Sequence, residues 1–525
     1  MPKRVLLVNP HYPISETPSP PLGLAYLAGA LEAAGVAVRL ADAVVAPLDE
    51  KFLQAILADF EPDWVGVTAV TMNAPRAFEI LRGVKSFAPN VFTVMGGPHA
   101  SFAAIETLNT LPELDAVVRG EGERTLTELV LAPTDLRCWA EIPGLAFRLG
   151  DAPHFTPERP PLADLGSLAP PARHLIPLGR YRTLGMPVSI TTSRGCPYRC
   201  IFCVGRKMVG AKVRFRPPAS VVAEMVHLAG LGFRQINLAD DLFTANRAHC
   251  LAICDALGRQ GIEIRWSSFA RVDTVSEDLL RRMRQAGCHA VSFGLESGSP
   301  DILRRIKKGF TLAQAEKAVE MCRAAGMQAH ASFILGLPGE TEETLAATLA
   351  FAERLGRRGL FYGFHLLAPF PGTEVRDQAA AYGLKILSHD WSDYHANRAI
   401  CLPHGLKPAR LDAIAEGWQG RFLDYLADIQ RRMQSGDASP EEAAQIHNMN
   451  RTAILYEMMM GDMLAGVGTP REEGLAALAR VVAPRLPRFD LPAIQAALQQ
   501  AWDVGGLRRQ NGSGPARWFW QETLP

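Results

Sequence analysis

The chain has 525 residues, enough for roughly three or four domains at about 150 residues each. Hydrophobic residues make up 48% and charged residues 21%, which excludes global disorder; 55 Lys plus Arg against 54 Asp plus Glu leaves no global field for nucleic acid or an anionic membrane. Nine Cys are too few for a disulfide scaffold and odd in number, so a reducing compartment with free, buried or metal-bound thiols is expected.

At the N-terminus Lys3 and Arg4 precede only Val5-Leu6-Leu7-Val8 before Asn9-Pro10, too short for a secretory signal. Apolar runs such as Leu24 to Leu31 are too short to span a bilayer. The expectation is a cytoplasmic protein with no transmembrane segment. Residues 1–135 alternate apolar runs, Val5–Val8, Val36–Leu40, Trp64–Val70, Val91–Met95 and Ala116–Val118, with helical patterns at Leu22–Ala34, Lys51–Ala58, Ala74–Ala88, Phe102–Leu108 and Glu123–Leu131. That alternation predicts a doubly wound, Rossmann-like α/β sheet, whose ligands bind at the C-terminal strand ends. The loops there are Asn9–Pro21, Thr71–Asn73, Gly96–Ser101 and Arg119–Glu123.

Prolines 153, 157, 160, 161, 170, 171 and 177 make 136–185 read as an extended linker. A second series follows over 186–395, with strands at Val188–Thr192, Gln235–Leu238, Ile262–Ser267, Ala290–Gly294, Gln328–Leu335 and Gly359–Leu366. Helices lie between them, as at Ala219–Leu231, Arg247–Gln260 and Glu277–Ala286. Six βα units predict a partial, TIM-like (βα)6 barrel. From 396 to 525 strand signals vanish, and Pro408–Met433 and Pro440–Ala465 predict a helical region. The Met-rich stretch around Tyr456 reads as core packing, with an adaptable surface for an apolar partner or large substrate as the alternative, and Trp518-Phe519-Trp520 as a lid, a docking strip or a buried anchor.

Cys196, Cys200 and Cys203 fall within eight residues, just past a predicted strand. Gly195 and Pro197 keep the segment irregular, so three thiolates can turn to one point, as iron–sulfur ligation requires. Three ligands on a four-iron cluster leave one iron open for a cofactor or substrate. Zinc or three buried thiols are the alternatives, but no His or Cys closely follows Cys203 to complete a zinc site. Cys138, Cys250, Cys254, Cys288 and Cys322 read as small core hydrophobes, and Cys401 as a candidate thiol facing substrate.

The Cys-x3-Cys-x2-Cys segment, with aromatic Phe202 before the last Cys, resembles that of the radical S-adenosylmethionine (SAM) enzymes. The resemblance implies that Cys196, Cys200 and Cys203 hold a [4Fe–4S] cluster whose open iron binds SAM, and that electron transfer cleaves SAM to a 5′-deoxyadenosyl radical. Later strand ends agree with it. Asp240-Asp241 would contact the methionine part of SAM, with a helix N-cap as the structural alternative. Glu296 and Ser297, in Phe293-Gly294-Leu295-Glu296-Ser297-Gly298, resemble a SAM-contact segment, or form a Gly-rich turn with a Ser cap. Gly336, in Gly336-Leu337-Pro338-Gly339-Glu340, would back the adenine, and Pro369 opens a similar turn after the sixth strand. Arg271 is a candidate for the SAM carboxylate or ribose, or a surface ion pair.

The first sheet lacks Gly-x-Gly-x-x-Gly, which disfavours a dinucleotide. Pro20-Pro21-Leu22-Gly23-Leu24-Ala25-Tyr26-Leu27, Gly96-Gly97-Pro98-His99 and Gly120-Glu121-Gly122-Glu123 resemble the cobalamin-binding domain fused to one large radical SAM class. That implies cobalamin contacts at Gly96, Gly97, His99, Gly120 and Glu121, with Thr71, Met72 and Asn73 facing the corrin's lower side. Asp-x-His-x-x-Gly, which supplies a lower His ligand elsewhere, is absent, so His99 reads as a loop-capping or corrin-edge residue. The resemblance covers about residues 1–395. It implies a cobalamin-dependent radical SAM methyltransferase acting on an unactivated carbon of a small molecule or peptide, fed by a flavodoxin- or ferredoxin-type electron donor. The alternatives are an oxidative cyclase or ring-rearranging enzyme resembling the anaerobic magnesium-protoporphyrin ester cyclases, and a sensor without turnover, which the SAM-contact segments disfavour.

Overall fold

A computed structural model describes residues 2–12, 18–470, 473–510 and 514–524. Part of the predicted Asn9–Pro21 loop, residues 13–17, lies outside them. In the first sheet Leu6 and Val8 bury one face and Val5 and Leu7 the other, so helices are needed on both sides. Five strands run parallel in the spatial order Ala37–Asp42, Arg4–Asn9, Trp64–Thr68, Phe92–Gly96, Ala116–Val118. The order reverses between Arg4–Asn9 and Trp64–Thr68, which opens a crevice at their C-terminal ends.

Two more strands, Leu145–Leu149 and Ala152–Phe155, extend this sheet antiparallel. The reading of 136–185 as a linker is therefore corrected: its first part belongs to the first unit, and Leu178–Thr183 forms a helix before the barrel. Pro153 hid the last strand, yet that strand is at the sheet edge, where proline is tolerated. The helix expected at Phe102–Leu108 starts earlier, at Gly97, and restarts over Ala104–Thr110.

The second sheet has six parallel strands, adjacent in chain order: Val188–Ile190, Gln235–Leu238, Arg265–Ala270, Cys288–Glu296, Gln328–Leu335 and Leu360–Leu366. Its first and last strands do not pair, so the barrel is open on one side. Outward residues such as Trp266, Phe293 and Phe333 are fully or almost fully buried in the core.

Two long helices, Pro408–Ser435 and Pro440–Met460, follow. Strands did not vanish after residue 395: Cys401–Pro403 pairs with Leu384–Ile386, and Gly468–Thr469, Ala516–Trp520 and Leu507–Gln510 form a three-stranded sheet. Trp518 and Trp520 are buried there, so the aromatic tail is an anchor. It returns to the helix before the barrel, where the Gly179 N–H donates to the Glu522 carbonyl at 2.9 Å. Among the described residues no helix is long and apolar enough to cross a membrane.

Candidate functional site

The cysteine loop leaves the first barrel strand through Ser193–Arg194, which pair antiparallel with Arg214–Phe215. Gly195 sits at φ +114°, and a Cβ there would collide with the Lys212 carbonyl, so only glycine suits the bend. The Cys196 N–H reaches the Gly210 carbonyl at 3.1 Å, the Cys203 N–H reaches that of Cys200 at 3.2 Å, and the Gly205 N–H points at the Cys203 sulfur at 3.3 Å. All three cysteines are free thiols, Cys196 and Cys200 half-buried and Cys203 exposed. Partial loss of water pushes the Cys196 and Cys203 thiols up, and neighbouring Cys and Asp241 charges add to it. Bound iron reverses that preference. Among the described residues no three His, Cys, Asp or Glu side chains are arranged for a single metal ion. Three thiols with no fourth His or Cys beside them are the donor set of a cluster with one open iron rather than of a closed zinc site.

Asp240 and Asp241, at the second strand's end, have different tasks. Asp240 is buried and accepts from the Thr192 N–H and hydroxyl, both at 2.6 Å, and from the Ser193 hydroxyl at 2.7 Å. It pins the start of the loop, and burial pushes its carboxyl up against those bonds. Asp241 accepts the Gly195 N–H at 3.2 Å, and a Cβ on Gly205 would lie 2.9 Å from its other oxygen. Asp241 thus adjoins the Cys203 turn. Neither caps a helix; Asn246 does.

The other strand ends build a network beneath the loop. Glu296 has φ +65°, which turns its carboxylate back over Gly294 to meet Lys308 Nζ at 2.7 Å. Both are buried, and Lys308 Nζ lies 5.6 Å from the Phe202 ring centre. Arg271 lies 3.5 Å over the Tyr198 ring, pairs with Asp273 at 3.0 Å, and donates to the Lys308 carbonyl at 2.6 Å. Arg271 is therefore buried within the loop's support and is no surface ion pair. Lys308 was missed in the sequence, because nothing local marks it as facing Glu296. Ser297 packs away from the loop, with its hydroxyl 3.1 Å from that of Thr348. Gly336, at φ +83°, donates its N–H to Glu340. The Pro369 carbonyl accepts from Arg376 at 3.1 Å.

The first sheet holds a cavity of about 280 Å³ between Leu7, Gly66, Val94 and the loops at Gly96–Pro98 and Gly120–Glu123. A Cβ on Gly66 would come within 2.9 Å of Leu7, and one on Gly97 within 2.7 Å of the Ala69 carbonyl, so glycine keeps the strand ends close. Arg194, Met208 and Val209, from the hairpin around the cysteine loop, form the far wall. The volume is near the lower end for small-ligand pockets. Glu121 lines it and binds Arg214 at 2.7 Å and Arg194 at 3.4 Å, while Glu123 meets Arg194 at 2.7 Å. Burial raises the Glu121 carboxyl, but Arg214, the Leu162 N–H and Arg194 outweigh it and hold it below the usual range.

Thr71, Met72 and Asn73 do not line this cavity; their turn packs against Trp391–Asp393. His99 is buried, its ring 5.1 Å from Trp391, with neither ring nitrogen hydrogen-bonded. Burial and the Arg376 charge lower it to about 4, so it is neutral. Cys250, Cys254, Cys288 and Cys322 are buried thiols pushed upward by burial, two of them to about 12. Cys401 is buried too and pushed up to about 12, not presented at a surface.

Residues 190–352 match the radical SAM superfamily and residues 15–130 the B12 binding domain. The chain is 36% identical over 380 residues to an uncharacterized methyltransferase of Pyrococcus horikoshii, covering 72% of this chain and 82% of that one. It is 32% identical over 446 residues to an anaerobic magnesium-protoporphyrin IX monomethyl ester cyclase of Cereibacter sphaeroides, covering 80% and 70%. The solved structure of the radical SAM methyltransferase TsrM from Kitasatospora setae, with cobalamin and a [4Fe–4S] cluster bound, has the same fold: TM-score 0.67 at 22% identity, covering 96% of this chain and 99% of that one. On these matches, with three cysteines in the loop after the first barrel strand, the chain belongs to the radical SAM superfamily, with a B12-binding domain ahead of its barrel.

Proposed function

We propose that the protein is a cobalamin-dependent radical SAM methyltransferase that alkylates an unactivated carbon. One observation carries this reading: the first sheet's cavity is lined by Arg194, Met208 and Val209 from the segments that flank the cysteine loop, so the two units adjoin at that loop. When bound, the cluster, SAM and cobalamin supply an organic radical and a transferable methyl group. Cys196, Cys200 and Cys203 would hold the cluster, with Gly195 and Asp240 fixing the loop. Asp241 stands by the Cys203 turn, where it can accept from an ammonium group of SAM. The buried Glu296–Lys308 pair lies below Phe202 and would support the loop from the barrel side. Gly96, Gly97 and Gly120 would let the corrinoid approach the backbone. An external one-electron donor of flavodoxin or ferredoxin type would supply the electrons.

The cyclase relative at 32% identity favours a second reading, radical cyclisation without methyl transfer. Anaerobic turnover of the loaded protein with methyl-deuterated SAM and host extract separates the two. Label in a product is the expected result; deoxyadenosine without label transfer favours cyclisation. Cys200→Ala should lose iron–sulfur absorbance and SAM cleavage together, and retention of both would remove the cluster assignment.

A further inference from the structure

The inner face of the barrel is the least expected surface in the molecule. Phe269, Ser292, His330 and Phe361 are register partners on four neighbouring strands and so project from one face of the sheet. The opposite face, with Trp266, Phe293 and Phe333, packs under helices. Closed barrels fill their interior with side chains. Here Phe269 is 54% exposed and Phe361 57%. His330 stacks on Phe361 at 5.2 Å and 21°, and Phe361 stays mostly exposed with that one partner. The next row towards the cysteine loop is Gly294, Ser332 and Gly363, small residues that leave room above the two rings.

The helix Pro408–Ser435 packs along the last barrel strand, at one edge of the open side. Leu411 lies by Gly336 at the top of the fifth strand, and the Trp418 ring lies 3.8 Å from where a Cβ on Gly363 would stand. The helix thus runs down the last strand. Four further helical residues advance about 6 Å and two strand residues about 6.6 Å, which puts Phe422 level with Phe361. Helical spacing places Phe422 and Tyr425 on the same stripe as Leu411, Trp418 and Ile429. Leu411 is buried against the barrel and Ile429 against Ile446 of the next helix. Yet Phe422 and Tyr425, in the middle of that stripe, are 44% and 46% exposed. The whole turn Arg421–Tyr425 is exposed, Leu423 included at 55%, which leaves a gap beside the last barrel strand.

We propose that this gap admits the substrate, and that the substrate is a flat, largely apolar ring system carrying hydrogen-bonding groups. The exposed rings of Phe269 and Phe361 would stack on its plane. Asn237 and Ser267, hydrogen-bonded to each other at 2.8 Å deeper in the barrel, would meet its polar edge. A linear aliphatic chain or a peptide would leave the ring faces unmatched. The inference rests on the radical SAM reading, because that reading puts the reacting carbon beneath the cysteine loop.

The test uses the reconstituted full chain with 2-naphthol as the probe, followed by fluorescence. One saturable site is expected, weakened at least tenfold by Phe361→Ala and by Phe422→Ala. Phe361→Leu keeps the apolar bulk and loses the flat face, so it should weaken binding too and serves if the alanine variant fails to fold. Decanoate and a Gly-Ser hexapeptide should compete poorly. Unchanged binding in the folded variants, or equal displacement by decanoate or the peptide, overturns the proposal. So does a dimer in sedimentation that Phe422→Ala dissociates, which would make the stripe a self-association surface. SAM cleavage by the same wild-type sample tests the underlying reading by itself: cleavage without a naphthol site sinks only this inference, and no cleavage sinks both.

Discussion

Glu340 lies buried in the turn after the fifth barrel strand, one oxygen taking the Gly336 N–H and the other without a hydrogen-bond partner. Burial raises its carboxyl from 4.5 to about 7. Between those values the folded chain keeps a proton that the unfolded chain has released, so stability falls as pH rises through that window and levels off above it. The effect is about 3 kcal/mol at most. Glu340→Gln should lack this slope, and its thermal midpoint should gain on the wild type from pH 4.5 to 8; parallel curves would refute the assignment. Some residue roles were legible in sequence and others were not. The three cysteines announce themselves by spacing, since one loop carries them all. Asp240 was singled out but read as a SAM contact or a helix cap, because its partners Thr192 and Ser193 come from 48 and 47 residues away. Lys308 was invisible for a different reason: Glu296 is only 12 residues away but is turned towards it by a positive-φ turn that no local pattern announces.

The two βα series were readable because their strands are apolar and their helices amphipathic, and most of the predicted strands lie within a few residues of the observed ones. Elements without that contrast were missed. Leu507–Gln510 is Leu-Arg-Arg-Gln, with no alternation, and becomes a strand only by pairing with Ala516–Trp520. The hairpin of long helices is held at its far end by Leu426, Ile429 and Ile446. Ile429 is fully buried, so Ile429→Ala should cost about 2–4 kcal/mol locally. Hydrogen exchange across residues 420–446 should then rise while the barrel strands stay protected. Uniform protection would show that the helices are held elsewhere.

On the scale of the whole molecule, the first unit and the barrel meet through a buried charge cluster. Glu121 pairs with Arg214, whose side chains are 10% and 6% exposed, and Arg194 joins from beside the cysteine loop. Removing one partner strands the other charge, at about 3–5 kcal/mol. Glu121→Ala should therefore weaken cobalamin binding and iron incorporation together, although Glu121 is far from the cysteines in sequence. Loss of cobalamin alone would reduce Glu121 to a local contact.

Taken alone, the sequence determined the two α/β units and the class of chemistry, and it marked the three cysteines as candidate ligands, because these depend on periodicity and on short spacings within one loop. The tertiary structure decided the rest. It moved part of the expected linker into the first sheet, set Thr71–Asn73 and His99 against Trp391, made Asp240 a pin, and left two phenylalanines bare inside an open barrel. Each of these depends on which distant segment arrives opposite a residue, and no local pattern encodes that partner.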